Sequence, residues 1–429
     1  MSSDLYSHNL DAPVASGVIN ASVELPGSKS LTNRELVLSA LAIEPTRLTG
    51  ALVSRDSALM IAALQQLGAK VDDAKGTSPT VHPATLSADA TIDCGLAGTV
   101  MRFVPPVSVL NRGITKFDGD EAARRRPMKT TIESLRALGA VVENEDGALP
   151  FEVHGLGAVP GGEITIDASS SSQFVSGLLL AAPRFENGIT LRHRGEHLPS
   201  MPHIEMTLQC LRERGISVSE PEPLFWRVEP GAISGGTKAI EPDLSNAGPF
   251  LAAAMVAGGS VTIPGWPTKT TQVGNEFDGI LQQLGAQISR DERGLTLTGN
   301  GEISGVDIDL SIGGELAPVI AGLATLATTP SRLRGIAHLR GHETDRLSAL
   351  ASEINRIGGD CEETEDGLII RPSNRLHGGL WHTYEDHRMA TTGAIIGLRV
   401  PGIEIENIGT TAKTMPNFTQ LWLGMLGQN

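Results

Sequence analysis

The stretch LQQLGAKV, residues 64–71, is a helix end running into a strand. Apolar positions at helical spacing reach Gly68, and an alternating apolar run follows. The same phrase returns as LRALGAVV at 135–142, LRERGISV at 211–218, LQQLGAQI at 281–288 and INRIGGDC at 354–361, with a weaker copy, LWLGMLG, at 421–427. Between their glycines the steps are 71, 76, 70, 73 and 69 residues. One such ending is common in any helical protein; six at nearly constant spacing are a repeat.

A second phrase runs out of phase with the first. Small polar residues open a Gly/Ala/Leu-rich helix in GSKSLTNRELVLSALA, GLAGTVMRFVPPVSVL, SSSSQFVSGLLLAA, DLSNAGPFLAAAMVA, GELAPVIAGLATLA and YEDHRMATTGAIIGL. With Ser30, Thr99, Ser172, Asn246, Glu315 and His387 as markers, the steps are 69, 73, 74, 69 and 72 residues. The chain therefore reads as six units, each with two helices and several short strands. These helices are apolar nearly all round, which predicts burial, and polar at their N-terminal ends, which predicts an opening there. Backbone N–H groups at such an end face something wet or ionic.

At 429 residues the chain fits two domains of roughly 200 residues, three units to each. GGTKAIEPDLSNAG, 235–248, is the expected crossover, and the N-terminal strand in GVINASVELPG could belong with either half. The apolar stretches are too short to span a bilayer, and the first residues resemble neither a secretory signal nor a transit peptide, so a cytoplasmic protein is expected. A net charge of −15 argues against non-specific nucleic-acid binding. Cys94, Cys210 and Cys361 are too scattered for a disulfide framework or a zinc site.

An anion bound by so acidic a chain needs a local basic cluster. Ser30 and Arg34 share a helix face, with Lys29 where that helix starts. A P-loop does not fit, because Ser28 rather than Gly precedes Lys29. Gly95 and Gly98 allow close backbone approach, and Thr99 and Arg102 share a face. Arg124, Arg125 and Arg126 form a run of the kind that is ordinarily a solvated face, while Ser171, Ser172 and Gln173 offer neutral donors. His342 and Arg346 lie four apart with Glu343 beside them; on a surface this would be an ion pair, and beside a phosphate it could move protons. His387, Arg388 and Lys413 complete the set.

The segments LPGSKSLTNR, GLAGTVMR, SSSSQF, HLRGHETDR, DHRMA and TAKTMPNF, in this order from Leu25 onward, resemble the 5-enolpyruvylshikimate-3-phosphate synthase family in its bacterial form. The resemblance implies an α/β fold: a two-domain, inside-out α/β barrel of the enolpyruvyl transferase kind, with six βαβαββ repeats, three per domain. One domain would comprise 1–22 and 240–429 and the other 23–239, with the active site in the cleft between them.

The implied reaction belongs to the shikimate pathway of aromatic amino acid and chorismate biosynthesis. It moves the enolpyruvyl group of phosphoenolpyruvate to the 5-hydroxyl of shikimate 3-phosphate and releases phosphate through a tetrahedral intermediate. For shikimate 3-phosphate the resemblance implies Lys29, Ser30, Arg34, Ser171, Ser172, Gln173, Ser200, Glu315 and His342. For phosphoenolpyruvate it implies Lys29, Gly98, Arg102, Arg124, Gln173, Arg346, Arg388 and Lys413.

The chemistry needs one group to protonate the methylene carbon and another to accept the hydroxyl proton. Glu343 is expected as the acid that later removes a methyl proton, and Glu315 as the base, with Lys29 and His342 also in the catalytic set. No metal or cofactor is implied. The expected partners are the two substrates and the inhibitor glyphosate, with no nucleic acid and no membrane, for a monomeric protein.

Leu96, His338, His342 and His203 depart from the Asn, Asn, Lys and Tyr that are common in the family. A His at 342 would titrate near neutral pH. Two alternatives are enolpyruvyl transfer to UDP-N-acetylglucosamine and a non-catalytic anion-binding protein. The first usually has Asn after the lysine, where this chain has Ser30; the second would fit a chain lacking Glu315, Glu343 or the lysines, and all are present.

Overall fold

The computed structural model describes residues 8–83, 85–86, 88–144, 146–195 and 197–428. The chain divides into two compact units, one of Met1–Pro26 with Pro242–Asn429 and the other of Gly27–Glu241. Each has its own hydrophobic core.

The expected apolar helices are α1 (Lys29–Ala40), α2 (Gly98–Ser108) and α3 (Gln173–Ala181) in the continuous unit. Their counterparts in the discontinuous unit are α4 (Leu244–Ala257), α5 (Ala317–Thr325) and α6 (His387–Gly397). Leu36, Val37 and Leu38 of α1 are each 0% exposed. Successive residues point about 100° apart on a helix, so three buried in a row mean that α1 is surrounded. Every residue of α2, α5 and α6 is likewise buried.

The second helix of each repeat is amphipathic and ends at its glycine. All six glycines of the LxxLG phrase have φ between 68° and 108°, the left-handed conformation that glycine adopts without strain. Strands Lys70–Asp72, Val141–Glu143, Val218–Glu222, Gln287–Asp291 and Asp360–Glu363 follow the first five.

Five sheets have four strands and one plan. In one of them Ala90–Asp93 runs parallel to Ile114–Asp118, which pairs antiparallel with Phe151–His154, whose other neighbour is Val141–Glu143. The sixth, three-stranded sheet takes its antiparallel member from Leu10–Asp11, which pairs with Ile403–Ile405. Ile19–Ser22 adds parallel to Gly259–Ile263 in the discontinuous unit, and Gly236–Ala239 adds parallel to Thr46–Thr49 in the continuous one. Among the described residues none of these sheets closes into a barrel.

One repeat departs from the pattern. Where the other full copies have Leu or Ile before the glycine, LRERGISV has Arg214, and it is fully buried. Its guanidinium donates to Glu35 Oε2 (2.5 and 3.0 Å), Thr46 Oγ1 (2.9 Å), Ser39 Oγ (2.9 Å) and the Ser234 carbonyl (2.8 Å). A buried charge is tolerated only when its donors are met, and here one side chain ties α1 to a strand and a loop. Glu35→Ala leaves that guanidinium without its counter-charge. The variant should lose about 3 kcal/mol in chemical denaturation of the unit that carries it, and a loss below about 1 kcal/mol would show that the pair is not what fixes α1.

Candidate functional site

In the continuous unit the polar helix ends gather as the repeats require. Ser28 caps α1 by accepting from the Leu31 N–H, and Lys29, the first helical residue, has its Nζ 3.5 Å from the buried Asp56 carboxylate. Asn33 donates to Thr99 Oγ1 at 2.7 Å, locking the start of α1 to that of α2. Ser171 Oγ accepts from the Gln173 N–H where α3 begins, and Ser172 beside it is buried. Ser200, at φ 55°, stands at the entry to the helix Met201–Glu213.

Arg34 is turned inward and is 1% exposed. Its Nε donates to Thr207 Oγ1 (2.8 Å), and its terminal nitrogens donate to the carbonyls of His203 (2.8 Å) and Ser30 (3.0 Å). The guanidinium carbon lies 5.1 Å from the Phe103 ring centre. These bonds pin α1 to the helix Met201–Glu213. Arg102 is also buried, with its guanidinium carbon 5.7 Å from the centre of the Phe174 ring.

The arginine run resolves into three different roles. Arg124 is exposed and committed to Asp118 through two parallel bonds of 2.9 and 2.6 Å, which hold the Asp118 carboxyl below its usual range. Arg125 is exposed and pairs with Glu121. Arg126 is half-buried, donates to the Leu96 carbonyl at 3.4 Å, and its buried Nε–H meets no protein acceptor. A Cβ on Gly98 would lie 3.2 Å from both Arg126 terminal nitrogens and 3.1 Å from Gln173 Oε1. Arg126, rather than Arg124, is therefore the arginine beside Gly98 and Gln173.

In the discontinuous unit the charged residues form a chain. Glu343 accepts from Lys413 Nζ on one oxygen and from Arg346 (3.1 Å) on the other. Arg346 also grips Asp386, which is 0% exposed, through bonds of 2.7 and 3.2 Å. Burial opposes the charge on Arg346, yet the Asp386, Glu343 and Glu315 carboxylates together raise its pKa above the ordinary value.

Asp386 accepts from the Arg388 N–H at 2.8 Å and so caps α6. His342 Nδ1 lies 3.1 Å from an Arg346 nitrogen; since arginine only donates, Nδ1 is the acceptor and the ring proton of the neutral imidazole belongs on Nε2. Glu315 accepts from Ser245 Oγ at 2.5 Å and lies 4.0 Å from Arg388. Asp386 and Ser245 escaped the reading of the sequence, because an Asp beside His–Arg and a Ser in an apolar helix carry no distinctive spacing.

Residues 14–422 match the family model described as EPSP synthase (3-phosphoshikimate 1-carboxyvinyltransferase). A curated relative from Kocuria rhizophila, named 3-phosphoshikimate 1-carboxyvinyltransferase, is 56% identical over 420 residues, covering 95% of this chain and 94% of its own. Two solved structures of EPSP synthase from Acinetobacter baumannii superpose with TM-scores of 0.78 and 0.76. Each is 25% identical, and the matches cover 96% and 95% of this chain and 96% of each solved chain.

His338 has its Nε2 buried without a protein partner. Burial, and to a lesser degree the Arg346 charge, push this imidazole down to about 4 from 6.5. As pH falls through that interval the unfolded chain takes up a proton that the folded site refuses. The contribution to stability is therefore complete above pH 6.5 and is lost toward pH 4. By NMR the His338 ring should stay neutral from pH 8 to about 5, and His338→Asn should reduce the acid loss of Tm. A midpoint near 6.5 would mean that the ring is solvated.

Proposed function

The chain belongs to the EPSP synthase family of 3-phosphoshikimate 1-carboxyvinyltransferases, and from that premise we propose how its residues divide the work. The enzyme transfers the enolpyruvyl group of phosphoenolpyruvate to the 5-hydroxyl of shikimate 3-phosphate and releases phosphate. Lys29, Ser30, Ser171, Ser172, Gln173, Ser200 and His342 are the proposed polar contacts of shikimate 3-phosphate. Arg34, buried as it is, orients the start of α1 beneath them. Arg102, Arg126, Gln173, Arg346, Arg388 and Lys413 are the proposed partners of phosphoenolpyruvate, with Lys29 serving both substrates. Arg126 takes the place that the sequence suggested for Arg124, which is already satisfied by Asp118.

The observation that carries the proton assignment is the grip on Glu343. Lys413 and Arg346 each hold one of its oxygens, which favours the carboxylate. A phosphoenolpyruvate trianion competes for the same two cations. As its phosphate and carboxylate take them over, Glu343 loses counter-charge, its pKa rises, and it can carry a proton to the methylene carbon.

Carbon 2 then becomes electrophilic. The 5-hydroxyl oxygen forms its bond to that carbon as Glu315 accepts the hydroxyl proton. In the second half the Glu343 carboxylate removes a proton from the new methyl group while the carbon–oxygen bond to phosphate breaks. The basic side chains stabilise the charge of the tetrahedral intermediate.

The relatives' names and the match over most of the chain favour this reading over transfer to a nucleotide sugar or binding without turnover. Among the described residues no helix is long and apolar enough to cross a membrane. We take the enzyme to act in the cytoplasm as a monomer and to bind glyphosate in place of phosphoenolpyruvate, the small Gly98 leaving Gln173 and Arg126 undisplaced.

Phosphate release should require both substrates, and Glu343→Gln should lower kcat by about 100-fold or more. Full turnover in that variant would move the carbon proton transfers elsewhere, and no turnover in the wild type alongside tight ligand binding would leave a binding protein. Arg126→Ala should raise both the KM for phosphoenolpyruvate and the Ki for glyphosate about tenfold, whereas Arg124→Ala should change either by less than about twofold. The reverse order would restore Arg124 to the site, and a wild type unaffected by millimolar glyphosate would refute the inhibitor assignment.

A further inference from the structure

Ser245 lies in the first turn of α4, is 6% exposed, and meets two site residues at once. Its hydroxyl donates to Glu315 Oε1 at 2.5 Å, and its backbone carbonyl accepts from an Arg388 guanidinium nitrogen at 2.8 Å. The second contact needs an explanation, because a carbonyl at that place in a helix is ordinarily taken by the N–H four residues on. Four residues on is Pro249, inside α4, which has no N–H to give. The proline therefore releases the Ser245 carbonyl, and the arginine uses it.

We propose that Ser245 is a positioning residue that holds the Glu315 carboxylate and the Arg388 guanidinium in one frame, and that Pro249 is what makes its carbonyl available. This rests on the reading of Glu315 as the base and Arg388 as a phosphoenolpyruvate ligand. A proline within an apolar helix otherwise costs a hydrogen bond and invites a kink. Here the vacated bond orients a charged side chain instead.

Charged and titratable groups that face Glu315 include Arg388 from α6, His338 from the short helical turn Ala337–Gly341, and Arg346 from the helix Arg346–Arg356. Burial holds His338 down to about 4 and a guanidinium does not deprotonate in a protein, so loss of the Ser245 hydroxyl falls on Glu315 itself. Removing a donor from a carboxylate destabilises the ionised form and raises its pKa. The acid limb of an activity that needs the carboxylate then moves to higher pH.

The test compares Ser245→Ala, Ser245→Thr, Pro249→Ala and Glu315→Gln in the full chain, using pH profiles of kcat/KM and separate KM values. Ser245→Ala should move the acid limb of kcat/KM for shikimate 3-phosphate up by about one pH unit, and Ser245→Thr, which keeps a hydroxyl, should restore it. Pro249→Ala, which returns a competing N–H to the Ser245 carbonyl, should raise the KM for phosphoenolpyruvate about threefold with the acid limb in place. Neither signature follows from a merely structural role.

If Glu315→Gln abolishes turnover while Ser245→Ala leaves the limb and Pro249→Ala leaves the KM unchanged, the inference is overturned and the base assignment stands. If Glu315→Gln turns over normally, the base assignment itself has failed and the hydroxyl half of the inference fails with it. The Pro249→Ala result then decides the arginine half alone.

Discussion

Burial of helices that are apolar on every side is the constraint on which the rest of this structure depends. A helix such as α1, with Leu36, Val37 and Leu38 all removed from water, must be covered all round. Within each unit the sheets and the amphipathic helices supply that cover. Such a helix tolerates polar residues best at its ends, and at the N-terminal end four backbone N–H groups lack helical partners. Lys29, Thr99 and Gln173 in one unit, and Glu315 and His387 in the other, all stand at or beside such ends.

The same constraint explains why charge is handled so differently inside and outside the units. Outside, Arg124 and Asp118 form a pair that is half in water and worth little. Inside, the ion pairs of Arg214 and Arg346 are cross-linked. Arg214 is met by Glu35, Thr46, Ser39 and Ser234, and Arg346 is shared by Glu343 and Asp386. A chain of alternating charges, Lys413 to Glu343 to Arg346 to Asp386, can be broken at one end by an incoming anion without leaving Arg346 bare, because Asp386 remains. In the proposed mechanism Glu343 is the member of this chain that carries the proton.

Local and long-range information part company at particular residues. GSKS, GLAGT and SSSSQF announced helix openings because capping and small-residue preferences act over three or four positions. The choice among Arg124, Arg125 and Arg126 was not legible, since three identical side chains in a row differ only in what lies across from them. Arg34 shares a helix face with Ser30, and its partners Thr207, Ser176 and the His203 carbonyl come from two helices far along the chain. Ser245 and Asp386 carried no signal of their own, for their partners Glu315 and Arg346 lie 70 and 40 positions away.

The sequence by itself determined the six repeats, the glycine-terminated amphipathic helices, the six buried helices and the family. Each of these is periodic or contiguous, and follows from propensities and patterns acting within a few residues. Only the tertiary structure decided which guanidinium stands beside Gly98, which side chains brace Arg346 and Glu315, and what becomes of the carbonyl that Pro249 leaves open. The direction of a side chain depends on which neighbour across the core can satisfy its hydrogen bonds. That neighbour comes from another element, chosen by packing rather than by sequence distance.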